Sequence, residues 1–339
     1  MRRGTSYSLV IVVVLICGML FAQSAQEKYN AKIREANEVR AKMGVAGITK
    51  DQYNKLNEQY NKLQEEIKAI ESELKADVEY TKKLNDAKIA YNEGNVAYKK
   101  GQYDEAITHY DKAISLDPNN ADAFYGKGIT LVKLRRYKEA VEAYSKATEI
   151  DPSNDKAFSA MGSAYNSLND YDQAIATYEK AIEINPTRNT SMYNLGLVYN
   201  KKKDYTNAAK YFRMATQVDP EYYQAFNSLG IALLNDGQVD QAIMAFDNAL
   251  AIKEDYDRAH LQLAMAYNKI GSFKEALAAA QNCLKYTRRL QGAANFEAGM
   301  ASKNLGSKEQ AIAFFEQAAN DRQWRKSAEY EIENLKRGL

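Results

Sequence analysis

The chain opens on an apolar run from Leu9 to Phe21, interrupted only by Gly18 and preceded by Arg2 and Arg3. Ala22, Gln23, Ser24 and Ala25 follow. A basic start, a short apolar stretch and a small-residue exit read as a secretory signal over residues 1–25. A retained anchor over residues 9–22 is the second reading, although a bilayer core asks for roughly 20 apolar residues. Both readings put the rest of the chain outside the cytoplasm, in the periplasm or envelope if the source is bacterial, because the arginines stay inside. Ile16 is bulky where a lipidated Cys17 would want a small neighbour.

The pattern then turns polar and helical over residues 26–85, with Gly44 and Gly47 marking a turn between segments 27–43 and 50–84. Thr49 and Gln52 form a capping-box signature for the second segment. From there Tyr53, Leu56, Tyr60, Leu63, Ile67, Ile70 and Leu74 alternate steps of three and four, a coiled-coil seam that fades at Asp77 and Thr81. A parallel homodimer would set Glu66 against Glu71 of its partner. Folding back sets Glu65 and Glu66 near Lys28 and Lys32. Charge favours the antiparallel hairpin, and a homo-oligomer through residues 50–76 stays open.

Beyond residue 86 several columns share one period of 34 residues. Every proline obeys it (Pro118, Pro152, Pro186, Pro220), as do Gly94, Gly128, Gly162, Gly196 and Gly230. Alanines follow at Ala106, Ala140, Ala174, Ala208, Ala242 and Ala276, and again at Ala113, Ala147, Ala181, Ala215 and Ala249, a column that Cys283 continues. The period predicts an internal repeat of two helices joined by a tight turn. Small residues sit where the helices cross, larger ones fill the flanks, and Asp-Pro ends the second helix. No unit buries its apolar face alone, so stacking makes one core.

These residues resemble the tetratricopeptide repeat family, whose pattern is visible at Leu195, Gly196, Tyr199, Ala208, Phe212, Ala215 and Pro220. Units begin at Ala87, Ala121, Asp155, Asn189, Tyr223 and Asp257, and a seventh begins at Gly292 after one extra residue. The resemblance implies an all-α, right-handed α-solenoid of seven helix pairs over 87–324. A C-terminal capping helix follows over 325–339, and the coiled coil or helical hairpin precedes. The sixth unit departs most, with His260 and Ala280 where large aromatics are usual.

Composition adds exclusions. Net charge is only +2, so no global basic field argues for nucleic acid. Two cysteines and two histidines leave little for disulfides, metals or acid–base chemistry, and phosphate-loop, dinucleotide, zinc-helix and nucleophile-elbow patterns are absent from the sequence. The chain is expected to be no enzyme and to need no cofactor. His109 is expected to be solvated, His260 to pack, and Cys283 to be an inert buried thiol.

In this family the first helix of each unit lines the concave face, through its second, fifth, ninth, twelfth and thirteenth residues. Basic residues take eight of those places here (Lys88, Lys99, Lys133, Lys156, Lys201, Arg258, Lys269, Lys303) against one acid, Asp122. Asparagines take seven, among them Asn95, Asn166, Asn200, Asn227 and Asn268. Tyr91, Tyr98, Tyr125, Tyr193 and Ile129 line the early units, and Ser159, Ser163 and Ser167 line the third. Asparagine can pair with the main chain of an extended peptide and lysine attracts carboxylates. The expectation is an extracytoplasmic adaptor that binds an acidic, extended protein segment. A spacer assembled by its coiled coil is the alternative, and membrane contact is limited to an uncleaved N-terminus. A chaperone-tail clamp is excluded, because Tyr91 stands beside Asn95 where that clamp needs lysine.

Overall fold

The computed structural model describes residues 25, 27–40, 42, 43 and 48–338. The signal reading therefore lies outside the described residues except for Ala25, and so does the turn at Gly44 to Gly47. All regular structure among the described residues is α-helical. The chain divides after Ala123 into two compact units.

In the first unit, α1 (27–40) lies against α2 (Lys50–Lys99), and α3 (Tyr103–Leu116) packs on the far end of α2. Thr49 caps α2: its hydroxyl accepts from the Gln52 amide, and the Gln52 side chain accepts from the Thr49 amide. Leu56, Tyr60, Leu63 and Ile67 bury against Tyr29, Ile33, Ala36 and Val39 of α1, and Lys32 Nζ sits 2.9 Å from Glu66 Oε2. The seam's centre is thus covered within the chain. One helix runs unbroken through the position where the sequence pattern changes from seam to repeat. The physical reason is that no glycine or proline falls between Lys50 and Ile89, so nothing stops it.

Six further first helices and their partners follow. They are α4 (Ala121–Lys133) with α5 (Tyr137–Ile150), α6 (Asp155–Ser167) with α7 (Tyr171–Ile184), and α8 (Asn189–Lys201) with α9 (Tyr205–Val218). Then come α10 (Tyr223–Asn235) with α11 (Val239–Ile252), α12 (Asp257–Ile270) with α13 (Phe273–Tyr286), and α14 (Gln291–Asn304) with α15 (Lys308–Ala318). Finally α16 (Arg325–Arg337) buries Ala328 and Leu335 against Ala311, Phe315 and Ala318.

Each crossing is made by a glycine under an aromatic ring. A Cβ on Gly128 would lie 2.5 Å from Tyr144, and one on Gly230 would lie 2.4 Å from Phe246, so only hydrogen fits. The sixth repeat carries Ala264 and Ala280 at these two places, both fully buried. A methyl enters where the ring is missing. The turn inside each pair needs one left-handed residue, found at Gly101, Arg135, Asn169, Lys203, Gly237, Gly271 and Gly306. The first and thirty-first residues of a repeat also latch: Asn185 donates to Asp155 at 2.7 Å, and Asn189 to Asp219 at 2.8 Å. In the fifth repeat the same latch is Lys253 over the Tyr223 ring, 5.0 Å from its centre.

Candidate protein-binding face

The residues expected to meet a ligand fall into three groups once their surroundings are seen. In the first unit, Lys88 and Lys99 are exposed, while Tyr91, Tyr98 and Asn95 are half-buried. Tyr110 is fully buried and its hydroxyl donates to Asn95 Oδ1 at 2.7 Å. Tyr91 packs against Tyr110 and Tyr98 against Tyr103, with ring centres 6.0 and 5.7 Å apart. Asn95 therefore serves the core. The same logic holds in the third repeat, where Ser163 Oγ lies 2.7 Å from the buried Tyr178 hydroxyl. In the fourth and fifth repeats the ring is Phe212 or Phe246, and the matching residues are the apolar Leu197 and Ile231. Polarity in this column follows the hydroxyl beneath it.

In the second unit, Tyr125 stacks at a tilt on Tyr144 and Tyr193 on Phe212 and Tyr222, which leaves both half-buried, as is Ile129. Lys133, Lys156, Lys201, Arg258 and Lys269 are exposed. Lys201 Nζ donates to Asn166 Oδ1 at 2.9 Å, and Lys269 Nζ reaches the Leu234 carbonyl at 3.3 Å. Lys303 differs: its ammonium lies 2.7 Å from Glu331 Oε2 on α16, so it ties down the capping helix.

The asparagines go deepest. Asn227 is 5% exposed, and Oδ1 of Asn200, Asn227 and Asn268 is buried without a hydrogen-bond partner. The Asn268 amide donates to the Glu297 carbonyl at 3.0 Å and to Glu297 Oε2 at 2.8 Å. Glu297 was not among the expected residues, because it is the sixth residue of its first helix. Burial raises its carboxyl above the ordinary value, against the lowering effect of the Asn268 bond. An acid thus shares the face with the cations near its C-terminal end.

The groups with reactive potential are occupied or hidden. His260 is 7% exposed, bonds the Glu254 carbonyl at 2.8 Å and stacks on Tyr286. His109, expected to be solvated, is instead half-buried with Nδ1 3.0 Å from Glu93 Oε2, because α3 lays it across the last turns of α2. Cys283 is fully buried and burial pushes its thiol up to about 12. Among the described residues no cluster of His, Cys, Asp and Glu could hold a metal ion, and no helix is long and apolar enough to cross a membrane.

Comparison with known proteins places this geometry. Sequence models described as tetratricopeptide repeat match residues 121–154, 190–222, 208–259, 227–282 and 293–320, and one described as TPR repeat matches 94–135 and 162–203. Among curated protein sequences nothing matches. The crystal structure of the C-terminal part of a TPR repeat-containing protein from Cytophaga hutchinsonii is 16% identical over 70% of this chain and 98% of its own, with a TM-score of 0.60. A tetratricopeptide repeat protein from Parabacteroides merdae is 17% identical over 74% of this chain and 99% of its own, with a TM-score of 0.52. These two share the fold. MamA is 28% identical over 50% of this chain and 92% of its own, with a TM-score of 0.47.

Proposed function

Because the chain belongs to the tetratricopeptide repeat family, a fold of protein-interaction scaffolds, we propose that it is an extracytoplasmic adaptor for an extended, net acidic segment of a partner protein. The segment lies along the first helices of the second unit. One observation carries this reading: three successive repeats each hold a buried asparagine oxygen without a partner, at Asn200, Asn227 and Asn268. An unpaired buried acceptor costs about 1–3 kcal/mol. Main-chain N–H groups of an extended segment supply the missing donors. Lys201 and Lys269 follow two of these asparagines directly, and exposed cations draw carboxylates in at long range. No catalytic step belongs to this reading.

The test is fluorescence anisotropy with an Asp- and Glu-rich extended peptide and the same peptide methylated on its backbone nitrogens. The unmodified peptide should bind at least tenfold more tightly, about 1.4 kcal/mol. Equal binding by the methylated peptide would remove the asparagines from the account. Export is tested separately. Terminal sequencing of protein taken from the envelope should find a start shortly after Phe21, and an intact Met1 on protein released from cytosol would sink that part.

A further inference from the structure

The first repeat exposes the face that every later repeat buries. Its third and tenth residues, Ile89 and Val96, are 47% and 51% exposed. In the second unit the same two columns hold small or apolar residues such as Ala157, Ala225, Ala164 and Val198, all at 0 or 1%. Those columns are what each repeat turns towards the one before it. The first repeat has none before it, because α2 runs straight on into the hairpin instead of turning into a second helix.

Ile89 and Val96 are also in phase with the hairpin seam. Steps of three, four or seven lead from Leu63 and Ile67 through Leu74, Val78, Asn85, Ile89 and Asn92 to Val96, so one side of α2 carries them all. Helix α1 covers the first part of this stripe and stops beside Tyr29, which borders a depression of about 500 Å³ with Leu74 and the 68%-exposed Val78. A second depression, about 440 Å³, holds Ile89 and Val96. At the other end of the chain α16 closes the last repeat. Repeat arrays need polar outer faces at their ends to stay soluble, and this end is apolar.

We propose that two copies of this chain associate through this stripe, α2 against α2, antiparallel about a twofold axis near residue 87. The register follows from self-complementarity. Val78 meets Val96 of the second copy, and Ile89 meets its Asn85. On one flank Lys82 comes beside Glu93 of the second copy, and on the other Asp77 comes beside its Lys99. The like pair Lys75 and Lys100 falls at the solvated ends, where salt screens it. Lys88, near the axis, is exposed and its long stem carries the charge outward. A pairing of one face with itself closes at two copies and forms no filament.

Sedimentation equilibrium on the chain as recovered from its host tests this. A monomer–dimer equilibrium is expected. Ile89→Lys with Val96→Lys should leave a monomer of unchanged helicity, since both side chains are exposed. Lys82→Glu and Glu93→Lys should each weaken dimerisation about tenfold by placing like charges together. The double variant should recover most of that loss. A monomer at every concentration, a dimer indifferent to Ile89 and Val96, or a charge swap without recovery would each overturn the proposal.

Discussion

Gly230→Leu should open the fifth repeat, the largest single-residue loss of stability expected in this chain. The first added carbon would lie 2.4 Å from Cε1 of Phe246. That ring is fully buried among Ala242, Ala245 and Leu263 and cannot swing aside. Overpacking of this kind costs about 1–3 kcal/mol, and the rest of the leucine adds to it. In a nearest-neighbour array that is enough to uncouple the flanking repeats. Thermal unfolding should show a lower midpoint, and amide exchange should quicken in α10 and α11 first. Gly162→Leu should be milder, because a Cβ there approaches Tyr178 no closer than 3.0 Å. Equal losses at the two sites would show that the crossing does not set the cost. The sixth repeat supports the argument within the chain itself, with Ala264 and Ala280 in place of glycine and ring.

The second large effect concerns binding. Changing Lys133, Lys201, Arg258 and Lys269 together to glutamate should leave the fold intact, since all four side chains are exposed. Only two contacts are lost, to Asn166 and to the Leu234 carbonyl, and surface contacts of this kind are worth at most about 1 kcal/mol each. Association with the acidic peptide should fall by roughly 100-fold at low salt, mostly in the on-rate. Near 1 M salt, where screening acts within about 3 Å, the two proteins should converge. Identical affinities at low and high salt would reduce the cations to a solubility device.

How far the fold was legible follows from where its constraints lie. Columns such as Gly128 and Tyr144 repeat because each pair must meet in the same crossing, so period alone revealed the α-solenoid. The left-handed column was also readable, since glycine holds four of its seven places, but Arg135, Asn169 and Lys203 hide it. The unbroken α2 was harder. A change of pattern at residue 86 looks like a boundary, yet a helix ends only where something breaks it, and nothing there does. For the candidate face, spacing gives direction but not depth. It placed Asn227 on the right side of α10 without showing that only 5% of it is exposed. It missed Glu297, whose role depends on Asn268 one repeat earlier. It also could not separate Lys303, held by Glu331, from cations whose ammonium meets water.

The continuity of α2 has a mechanical meaning. Fifty residues of helix make a rod of about 75 Å. Its far half is the first helix of a repeat, glued to α3 through Ala97, Ala106 and Tyr110. A pull or twist on the hairpin therefore arrives at that repeat as torque along a stiff shaft, with no slack loop to absorb it. Two glycines inserted after Asp77 would put a soft joint in the shaft. A tug on the hairpin would then stretch the joint before it strained the repeat.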